Sequence, residues 1–329
     1  MARWMVTGCA SGFGRGLAIA AANAGHDVVG LDVDRAGLET LSALLRPMGP
    51  RVRLEVGDVR VGQDVSRVFA DEQFDVVVAN AGHAVFGTVA EADSDAVEDL
   101  FDVNVFGVAR TIRAALPGLR ARKGTAVFLS SVAGRMVFPE SGWYAATKHA
   151  VEALAEATWL ENHSFGVRVR VVEPGAFATG FGLAATRASS ARPADSVYES
   201  IAPAWETRKA DVLERPQDPD LVVQAILAGV ADSVGFRRIP VGLDAGRLLG
   251  LVDAVGPDGA VQVAGARLGH SKDLLAPKEV LDGVGGNRRH LTRLAARFGH
   301  LQHWATEPVG SAALEVLARE PVDGSPLTR

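Results

Sequence analysis

Short apolar runs alternate with longer segments of helical periodicity over residues 1–250 of the chain. Strands are predicted at residues 3–7, 27–31, 52–56, 75–79, 125–129, 167–172 and 236–241, and helices after the first strand and at 36–45, 62–71, 94–122 and 143–163. Strands that alternate with helices predict an α/β fold, a doubly wound parallel sheet in a three-layer α/β/α arrangement. Pro117 lies inside the long 94–122 segment and is expected to kink or shorten the helix near its end.

The turn between the first strand and the first helix is rich in glycine and has the sequence TGCASGFG. Gly8 allows a tight turn, Gly12 lets the backbone approach a pyrophosphate, and Gly14 permits close helix packing. The second strand leads directly to Asp32. The order strand, glycine-rich turn, helix, strand and acidic residue predicts a dinucleotide-binding unit of the Rossmann type, with the pyrophosphate at the helix N-terminus.

The acidic residue after the second strand also bears on the choice of cofactor. A carboxylate at Asp32 accepts hydrogen bonds from ribose hydroxyls and repels a 2′-phosphate. No basic residue occupies positions 9–11 of the turn, although Arg15 and Arg35 lie nearby. These observations favour NAD, with NADP as the alternative.

Candidate chemistry appears in the stretch SSVAGRMVFPESGWYAATK, which begins at Ser130. Tyr144 and Lys148 are one helical turn apart, so both side chains are expected on one helix face. A neighbouring ammonium favours the phenolate and lowers the pKa of the tyrosine, which makes it a usable proton donor and acceptor. Taken alone, the pair is better explained by an exposed helix face.

These motifs together resemble the short-chain dehydrogenase/reductase family over about residues 3–245. The resemblance rests on TGCASGFG, Asp58-Val59, Asn80-Ala81-Gly82, Asn104, Ser131, Tyr144, Lys148, Pro174-Gly175 and Thr179. The segments VNVFG, SSVAG and VEPGAFATGF look like the branch that contains 17β-hydroxysteroid and retinol dehydrogenase-like enzymes.

The resemblance implies a catalytic set of Asn104, Ser131, Tyr144 and Lys148. Tyr144 would exchange a proton with the alcohol or carbonyl oxygen, and Ser131 would hydrogen-bond that oxygen. Lys148 would lower the pKa of Tyr144 and hold the nicotinamide ribose, while Asn104 would help anchor a water. Spacing favours Ser131 over Ser130, which would point to the opposite side of the strand end.

The same resemblance implies the residues that contact the cofactor. They are Gly8, Ser11, Gly12, Phe13, Gly14, Asp32, Asp58, Val59, Asn80, Ala81, Gly82, Tyr144, Lys148, Pro174, Gly175, Phe177 and Thr179. The last four belong to the segment expected to hold the nicotinamide amide.

Substrate contacts are expected in the loops that follow the strands. The candidates are His83, Phe86, Met136, Phe138, Trp143 and Phe181. Because most of them are apolar, they predict a hydrophobic secondary alcohol or ketone, although core packing explains any one of them equally well. His83 is either a polar substrate contact or a packed or solvated loop histidine.

Composition and charge narrow the class of protein. The chain has 329 residues, is 48% hydrophobic and carries a net charge of −5, which argues against a nucleic-acid partner. Its single cysteine, Cys9, cannot form an intrachain disulfide, so a reducing compartment is expected. The N-terminal residues contain no apolar run long enough for a signal peptide, so none is expected, and no apolar window is long enough to span a membrane. A cytoplasmic location is therefore expected.

The last part of the chain is less informative. A catalytic domain is predicted at residues 1–250 and an extension of unknown role at 251–329. A small hairpin is a possibility at 251–268, where PDG resembles a turn. Residues 286–304 carry arginines and histidines at near-helical spacing, which fits a solvated helix face, a subunit or active-site cover or, least well, a nucleic-acid site. No metal site is expected, because no Cys, Asp or Glu cluster accompanies these histidines.

The sequence therefore predicts an NAD-dependent alcohol dehydrogenase or ketone reductase of class EC 1.1.1.-. The alternatives are an NADP-dependent carbonyl reductase and a cofactor-binding sensor or scaffold without turnover. Members of the family often pair subunits through the helices that here contain Asn104 and Tyr144. A homodimer or homotetramer is therefore expected.

Overall fold

The computed structural model of the protein describes residues 1–70, 72–179, 193, 195–199 and 217–267. Within these residues the strands are β1 Arg3–Thr7, β2 Asp27–Asp32, β3 Val52–Val56, β4 Val76–Ala79, β5 Thr125–Leu129, β6 Arg168–Pro174 and β7 Phe236–Val241. They form one parallel sheet in the order β3-β2-β1-β4-β5-β6-β7. The predicted doubly wound parallel sheet is confirmed.

Helices connect the strands, and those before the sixth strand follow the predicted order, whereas the last two helices were not predicted. The helices are α1 Gly12–Asn23, α2 Arg35–Leu45, α3 Gly62–Phe69, α4 Ser94–Phe101, α5 Val108–Arg122, α6 Gly142–Asn162, α7 Asp220–Ala231 and α8 Leu243–Arg267. Short 3₁₀ helices occupy Arg46–Arg51, Val132–Gly134 and His163–Phe165.

An apolar core covers each face of the sheet. Because successive side chains of a strand alternate in direction, Trp4 and Val6 of β1 enter one core and Met5 enters the other. The first core is completed by residues of α1, α2 and α7, and the second by residues of α3, α5 and α6. Burial on both faces explains why the strands consist of nearly continuous apolar runs.

The direction in which strands are added to the sheet reverses between β1 and β4. The chain first builds outward from β1 to β3 and then continues from β4 on the other side of β1. In an open parallel sheet, ligands bind at such a point, outside the carboxyl ends of the strands. The topology therefore predicts a ligand-binding site at the turns that follow β1 and β4.

The long helix predicted at residues 94–122 is divided. A π-helical turn, Asp102–Gly107, separates α4 from α5. Contrary to expectation, α5 continues beyond Pro117 to Arg122, so the proline does not shorten it. Ala115 and Leu119 are buried on either side of the proline, and their packing holds the last turns in place.

The hairpin considered for residues 251–268 is wrong for the part that the structure describes, since Leu243–Arg267 is helical apart from Gly256, which has a φ of 75°. Ala245, Leu249 and Val252 are buried, and this i, i+4, i+7 spacing is helical. Residues 286–304, for which a basic helix was one prediction, lie outside the described residues.

The described residues belong to two compact units, one of Met1–Gly246 and one that begins at Arg247. A functional division at residue 250 stays a prediction. None of the helices described combines the length and the apolar character that crossing a membrane requires.

Arg170, in the middle of β6, is almost fully buried and was not expected to be a structural residue. Its Nε donates to the carbonyl of Gly229 at 2.5 Å, and its Nη2 donates to that of Asp232 at 2.6 Å. Its Nη1 donates to the carbonyls of Val169 and Gly235 at 2.9 and 3.3 Å. One guanidinium thus satisfies carbonyls at the end of α7 and in the turn that leads to β7.

We expect Arg170→Lys to lower the free energy of unfolding by about 2–4 kcal/mol, because an ammonium cannot reproduce the planar donor fork and leaves buried carbonyls unsatisfied. Urea denaturation measures this change. Arg237→Lys is the matched control, since Arg237 is half-exposed and pairs with Asp232 at the surface at 3.0 Å. That variant should change stability by less than about 0.5 kcal/mol. Equal losses in the two variants would contradict the role assigned to Arg170.

Candidate active site

The predicted site residues converge on the carboxyl edge of the sheet. The turn from β1 to α1 carries Gly8, Ser11, Gly12, Phe13 and Gly14; Asp32 ends β2; Asp58 and Val59 follow β3; Asn80, Ala81 and Gly82 follow β4; Ser131 follows β5; and Pro174, Gly175, Phe177 and Thr179 end or follow β6. Asn104, Tyr144 and Lys148 approach this edge from the π-helical turn and from α6.

The glycine-rich turn is folded too tightly for side chains at two positions. Gly8 has a φ of 68°, and a Cβ there would lie 2.8 Å from the Cα of Ala81. A Cβ on Gly14 would lie 2.1 Å from the carbonyl oxygen of Gly8. The first turn of α1 contains no acidic residue that would compete with a ligand for its free N–H groups. This arrangement fits the pyrophosphate of a dinucleotide.

Hydrogen bonds join the ends of β1 and β4 beside this turn. The Thr7 hydroxyl accepts from the N–H groups of Asn80 and Ala81 at 3.0 and 3.1 Å. The Asn80 side chain donates to the carbonyls of Thr7 and Gly8 at 2.9 and 3.0 Å. Asn80 therefore holds the glycine-rich turn in position from the neighbouring strand.

The Asp32 carboxylate braces the same turn. Its Oδ2 accepts from the Ala10 N–H at 2.7 Å, and its Oδ1 accepts from the Asp34 N–H at 2.9 Å. Arg15 is one of the two nearby basic residues that left NADP as an alternative cofactor. Its Nε donates to the Ala10 carbonyl at 2.7 Å. The second base, Arg35, is exposed at the start of α2.

Arg60 lies beside the predicted adenine site and links Asp58 to α4. It donates to Asp58 Oδ2 from Nε at 2.9 Å and from Nη2 at 2.6 Å, and it also bonds to Asp99. Burial raises the pKa of Asp58, but the hydrogen bonds and charge of Arg60 outweigh burial and hold that pKa below its usual value.

Asn104 is fully buried in the π-helical turn. Its Oδ1 accepts from the His83 N–H at 3.0 Å, and its Nδ2 donates to the His83 carbonyl at 2.9 Å and to Thr147 Oγ1 at 3.1 Å. The Thr147 hydroxyl in turn donates to the Tyr144 carbonyl at 2.7 Å. Asn104 thus joins the loop after β4 to α6. Thr147 was not among the predicted site residues, although it lies between Tyr144 and Lys148 in the sequence.

Ser131, Tyr144 and Lys148 lie together. The Ser131 side chain is hydrogen-bonded to that of Tyr144. Lys148 Nζ lies 5.7 Å from the centroid of the Tyr144 ring and donates to the Leu129 carbonyl at 2.8 Å. The neighbouring Ser130 hydroxyl is buried and has no hydrogen-bond partner in the part of the chain that the structure describes. The structure therefore brings Ser131, and not Ser130, to the tyrosine.

Burial moves the pKa values of the tyrosine and the lysine towards their neutral forms. It raises the pKa of Tyr144 to about 12, although the bond to Ser131 acts in the opposite direction. It lowers the pKa of Lys148 to about 8, although the charge of Glu152 acts in the opposite direction. A lowered pKa was expected for Tyr144. The direction is opposite here because the lysine amine is directed at Leu129 and does not offset the desolvation of the phenol.

Some predicted substrate residues lie near Tyr144 and others do not. The Phe86 ring meets the Tyr144 ring edge-on at 6.3 Å. Trp143 instead packs edge-on against Phe101 of α4 at 6.5 Å. Met136 is buried in the loop after β5.

The remaining predicted contacts have other roles or lie elsewhere. Phe138 is partly buried in the loop before α6, where its N–H donates to Ser141 Oγ at 3.2 Å. His83 Nε2 lies 3.5 Å from Asp99 Oδ2, and burial lowers the pKa of His83. Phe181 lies outside the described residues.

The segment after β6 reaches back to the glycine-rich turn. The Phe177 ring packs edge-on against Phe13 at 5.6 Å. Thr179 is close to Gly12, since a Cβ added there would lie 3.8 Å from the Thr179 Cβ. The turn predicted to bind the pyrophosphate and the segment predicted to hold the nicotinamide amide are thus in contact. No group of three or more His, Cys, Asp or Glu side chains suited to a metal ion occurs in the described ranges.

Comparison with known proteins agrees with this geometry. The model of a protein family described as short chain dehydrogenase matches residues 3–189, more than half of the sequence. The chain belongs to this family. It is an oxidoreductase family, and its dinucleotide-binding fold is the one described above.

Similar proteins include a 3-ketodihydrosphingosine reductase from Bacteroides thetaiotaomicron, which is 36% identical over 183 residues. The match covers 54% of this chain and 64% of that relative, so the chain spans less than two thirds of its length. A short-chain dehydrogenase from Streptomyces avermitilis has 34% identity and a TM-score of 0.67, with 81% of this chain and 97% of the other covered. A family member from Burkholderia phymatum in complex with NAD has 25% identity and a TM-score of 0.67, covering 79% and 95%.

The lowered pKa of Lys148 makes the stability of the protein depend on pH. Between about 8 and the ordinary value of 10.5, the unfolded chain binds more protons at this group than the folded protein does. The contribution of Lys148 to stability therefore rises with pH in this window. We expect Lys148→Met to be more stable than the wild type at pH 7, by a margin that shrinks by about 2 kcal/mol at pH 10. Urea denaturation at both pH values measures this margin, and a margin that does not change would refute the buried, weakly basic amine.

Proposed function

We propose that the protein is an NAD(H)-dependent oxidoreductase that interconverts a secondary alcohol and a ketone on a largely hydrophobic substrate. The observation that carries the proposal is the hydrogen bond between Ser131 and Tyr144, with Lys148 on the same face of α6. These groups lie at the carboxyl edge of the sheet, where the family fold binds its nucleotide.

The residues present fit a nicotinamide dinucleotide. The glycine-rich turn and the start of α1 would hold the pyrophosphate, Asp32 the adenosine ribose, and Asp58 and Val59 the adenine. The segment from Pro174 to Thr179 would hold the nicotinamide end. When bound, the cofactor supplies or accepts the hydride.

Side chains of the protein would supply the proton that the carbonyl oxygen receives. In the direction of reduction, Tyr144 donates its proton to the carbonyl oxygen as the carbonyl carbon gains a hydride. Ser131 donates a hydrogen bond to the same oxygen and holds it in place. The resulting tyrosinate is stabilised by its hydrogen bond to Ser131 and is then reprotonated from solvent. A phenol with a raised pKa is protonated at neutral pH and so holds the proton that reduction requires.

Asp32 supports NAD over NADP. A 2′-phosphate on the adenosine ribose would meet this carboxylate, and Arg15 is engaged with the Ala10 carbonyl. An NAD complex is known for one solved relative and a complex with an NADP analogue for another structure of the same fold. NADP(H)-dependent reduction is therefore the alternative to test.

The apolar surroundings of Tyr144 support a hydrophobic substrate. Phe86 contacts the tyrosine, and Met136 is buried in the adjacent loop. A relative acts as a 3-ketodihydrosphingosine reductase, which fits a ketone on an apolar chain.

We further propose that residues 1–250 form the catalytic domain, with 251–329 as an extension, and that the protein is a homodimer or homotetramer. Its cytoplasmic location stays a prediction from the sequence.

We expect Tyr144→Phe to lower kcat for ketone reduction by about 10²–10⁴, because the proton donor is lost. The Kd of NADH should stay within about twofold of the wild-type value. Steady-state NADH oxidation with a panel of hydrophobic ketones, together with NADH fluorescence titration, measures both quantities. Undiminished turnover in Tyr144→Phe would refute the mechanism, and a wild type that binds NADH without any turnover would support a sensor instead.

Ser131→Ala and Ser130→Ala provide a matched pair for the same mechanism. Ser131→Ala should lower kcat by about 10²-fold, since the hydrogen bond to the reacting oxygen is lost. Ser130→Ala should leave kcat within about twofold, because the Ser130 hydroxyl has no partner among the described residues. The reverse ranking of the two variants would show that Ser131 is not the catalytic serine.

The cofactor preference is tested by measuring the Kd of NADH and of NADPH for the wild type and for Asp32→Ala. We expect the wild type to bind NADH more tightly, and we expect the variant to shift the ratio of the two constants at least tenfold towards NADPH, because both the ribose bonds and the repulsion of the 2′-phosphate disappear. Asp34→Ala is the control. Asp34 caps α2 by accepting from the Gly37 N–H at 3.0 Å, so its loss should not move the ratio. Tighter binding of NADPH by the wild type would establish the NADP alternative.

A further inference from the structure

Two polar side chains that are distant in sequence, Gln217 and Asp244, hydrogen-bond to the segment that follows β6. Gln217 pairs with Phe177 in an isolated parallel bridge, and its carbonyl accepts from the Ala178 N–H at 3.2 Å. Asp244 lies in the first turn of α8. Both side chains converge on Ala176, in the middle of the segment predicted to hold the nicotinamide end of the cofactor.

The Asp244 carboxylate receives two donors. Its Oδ2 accepts from the Ala176 N–H at 2.6 Å, and its Oδ1 accepts from Gln217 Nε2 at 2.7 Å. Both oxygens are therefore used as acceptors, and each faces a different element of the chain.

The orientation of the Gln217 amide is fixed by two further bonds. Its Oε1 accepts from the Leu243 N–H at 2.8 Å, and its Nε2 donates to the Ala176 carbonyl at 3.2 Å. A flipped amide would lose both bonds. Gln217 Nε2 must therefore face position 244, which needs an acceptor on each side. A carboxylate meets this requirement, whereas an asparagine amide offers only one oxygen.

Gly175 allows the carboxylate to come this close. A Cβ at Gly175 would lie 2.1 Å from Asp244 Oδ1. The Gly175 N–H donates to the Val241 carbonyl at 3.0 Å, so the backbone is also tied to the end of β7. The side chain of Asp244 thus occupies the space that any other residue at position 175 would need.

We propose that Asp244 is a positioning residue for cofactor binding: its carboxylate, aligned by Gln217, holds the segment from Pro174 to Thr179 in the conformation that receives the nicotinamide end of the dinucleotide. This inference rests on the proposed function. It adds to that function a pair of residues that lie outside every motif used to identify the site.

The test compares NADH with ADP-ribose, which has the same adenosine diphosphate and ribose but no nicotinamide. In Asp244→Asn, an Nδ2 donor faces either Gln217 Nε2 or the Ala176 N–H. We expect the Kd of NADH to rise about tenfold, while the Kd of ADP-ribose stays within about twofold. NADH fluorescence and calorimetric titration with ADP-ribose measure the two constants at a temperature where circular dichroism shows the variant to be folded.

A charge exchange supplies a readout that a general loss of stability would not produce. Gln217→Glu places two carboxylates against each other and should also weaken NADH binding about tenfold or more. In the double variant Gln217→Glu/Asp244→Asn, the asparagine amide can donate to the glutamate while its oxygen accepts from Ala176. The bond from position 217 to the Ala176 carbonyl stays lost. NADH should therefore bind at least about threefold more tightly than to either single variant, although more weakly than to the wild type. Asp218→Asn is the matched control. Asp218 is exposed and accepts from the Asp220 N–H, so its variant should bind both ligands normally.

The outcomes separate this inference from the function on which it rests. A wild type that binds neither NADH nor NADPH overturns both. A wild type that binds NADH, with Asp244→Asn binding it equally well, overturns the positioning role alone. Equal weakening of NADH and ADP-ribose, or no recovery in the double variant, likewise overturns it, because each result indicates a general loosening of the fold.

Discussion

The hydrogen bonds between Thr7 and Asn80 hold together the carboxyl ends of β1 and β4, where the order of the sheet reverses. Parallel strands diverge at such a point and leave a crevice between the turns that follow them. By donating to the Gly8 carbonyl as well, Asn80 sets the glycine-rich turn relative to the loop that leads to His83 and Asn104. The same hydrogen bonds therefore fix both the predicted cofactor-binding turn and the loop that leads to the predicted catalytic residues.

The sequence was most informative where function depends on local geometry. The spacing of Tyr144 and Lys148 requires only a helix, and the requirement for glycine at position 14 follows from contacts within a single turn. The parallel sheet followed from the alternation of strands and helices. These features involve neighbours in the chain, so periodicity and motif spacing are enough to predict them.

Features that depend on contacts between distant segments were not predicted. Nothing local marks Asp244 or Gln217 as partners of Ala176, and a buried arginine in β6 has no signature in a strand pattern. The direction of the Tyr144 pKa was also missed, because desolvation depends on the packing of elements that the sequence does not place. The π-helical turn at Asp102–Gly107 had no signal beyond the VNVFG motif.

That turn sets a limit on how the protein can be engineered. A π-helical turn holds one more residue than the α-helical turn it replaces. Deleting one residue there would restore the ordinary helical repeat and rotate everything on one side of it by about 100° relative to the other. Asn104 would then turn its amide away from Thr147, to which it now donates at 3.1 Å. The extra residue of the π-helical turn therefore orients the Asn104 amide towards α6.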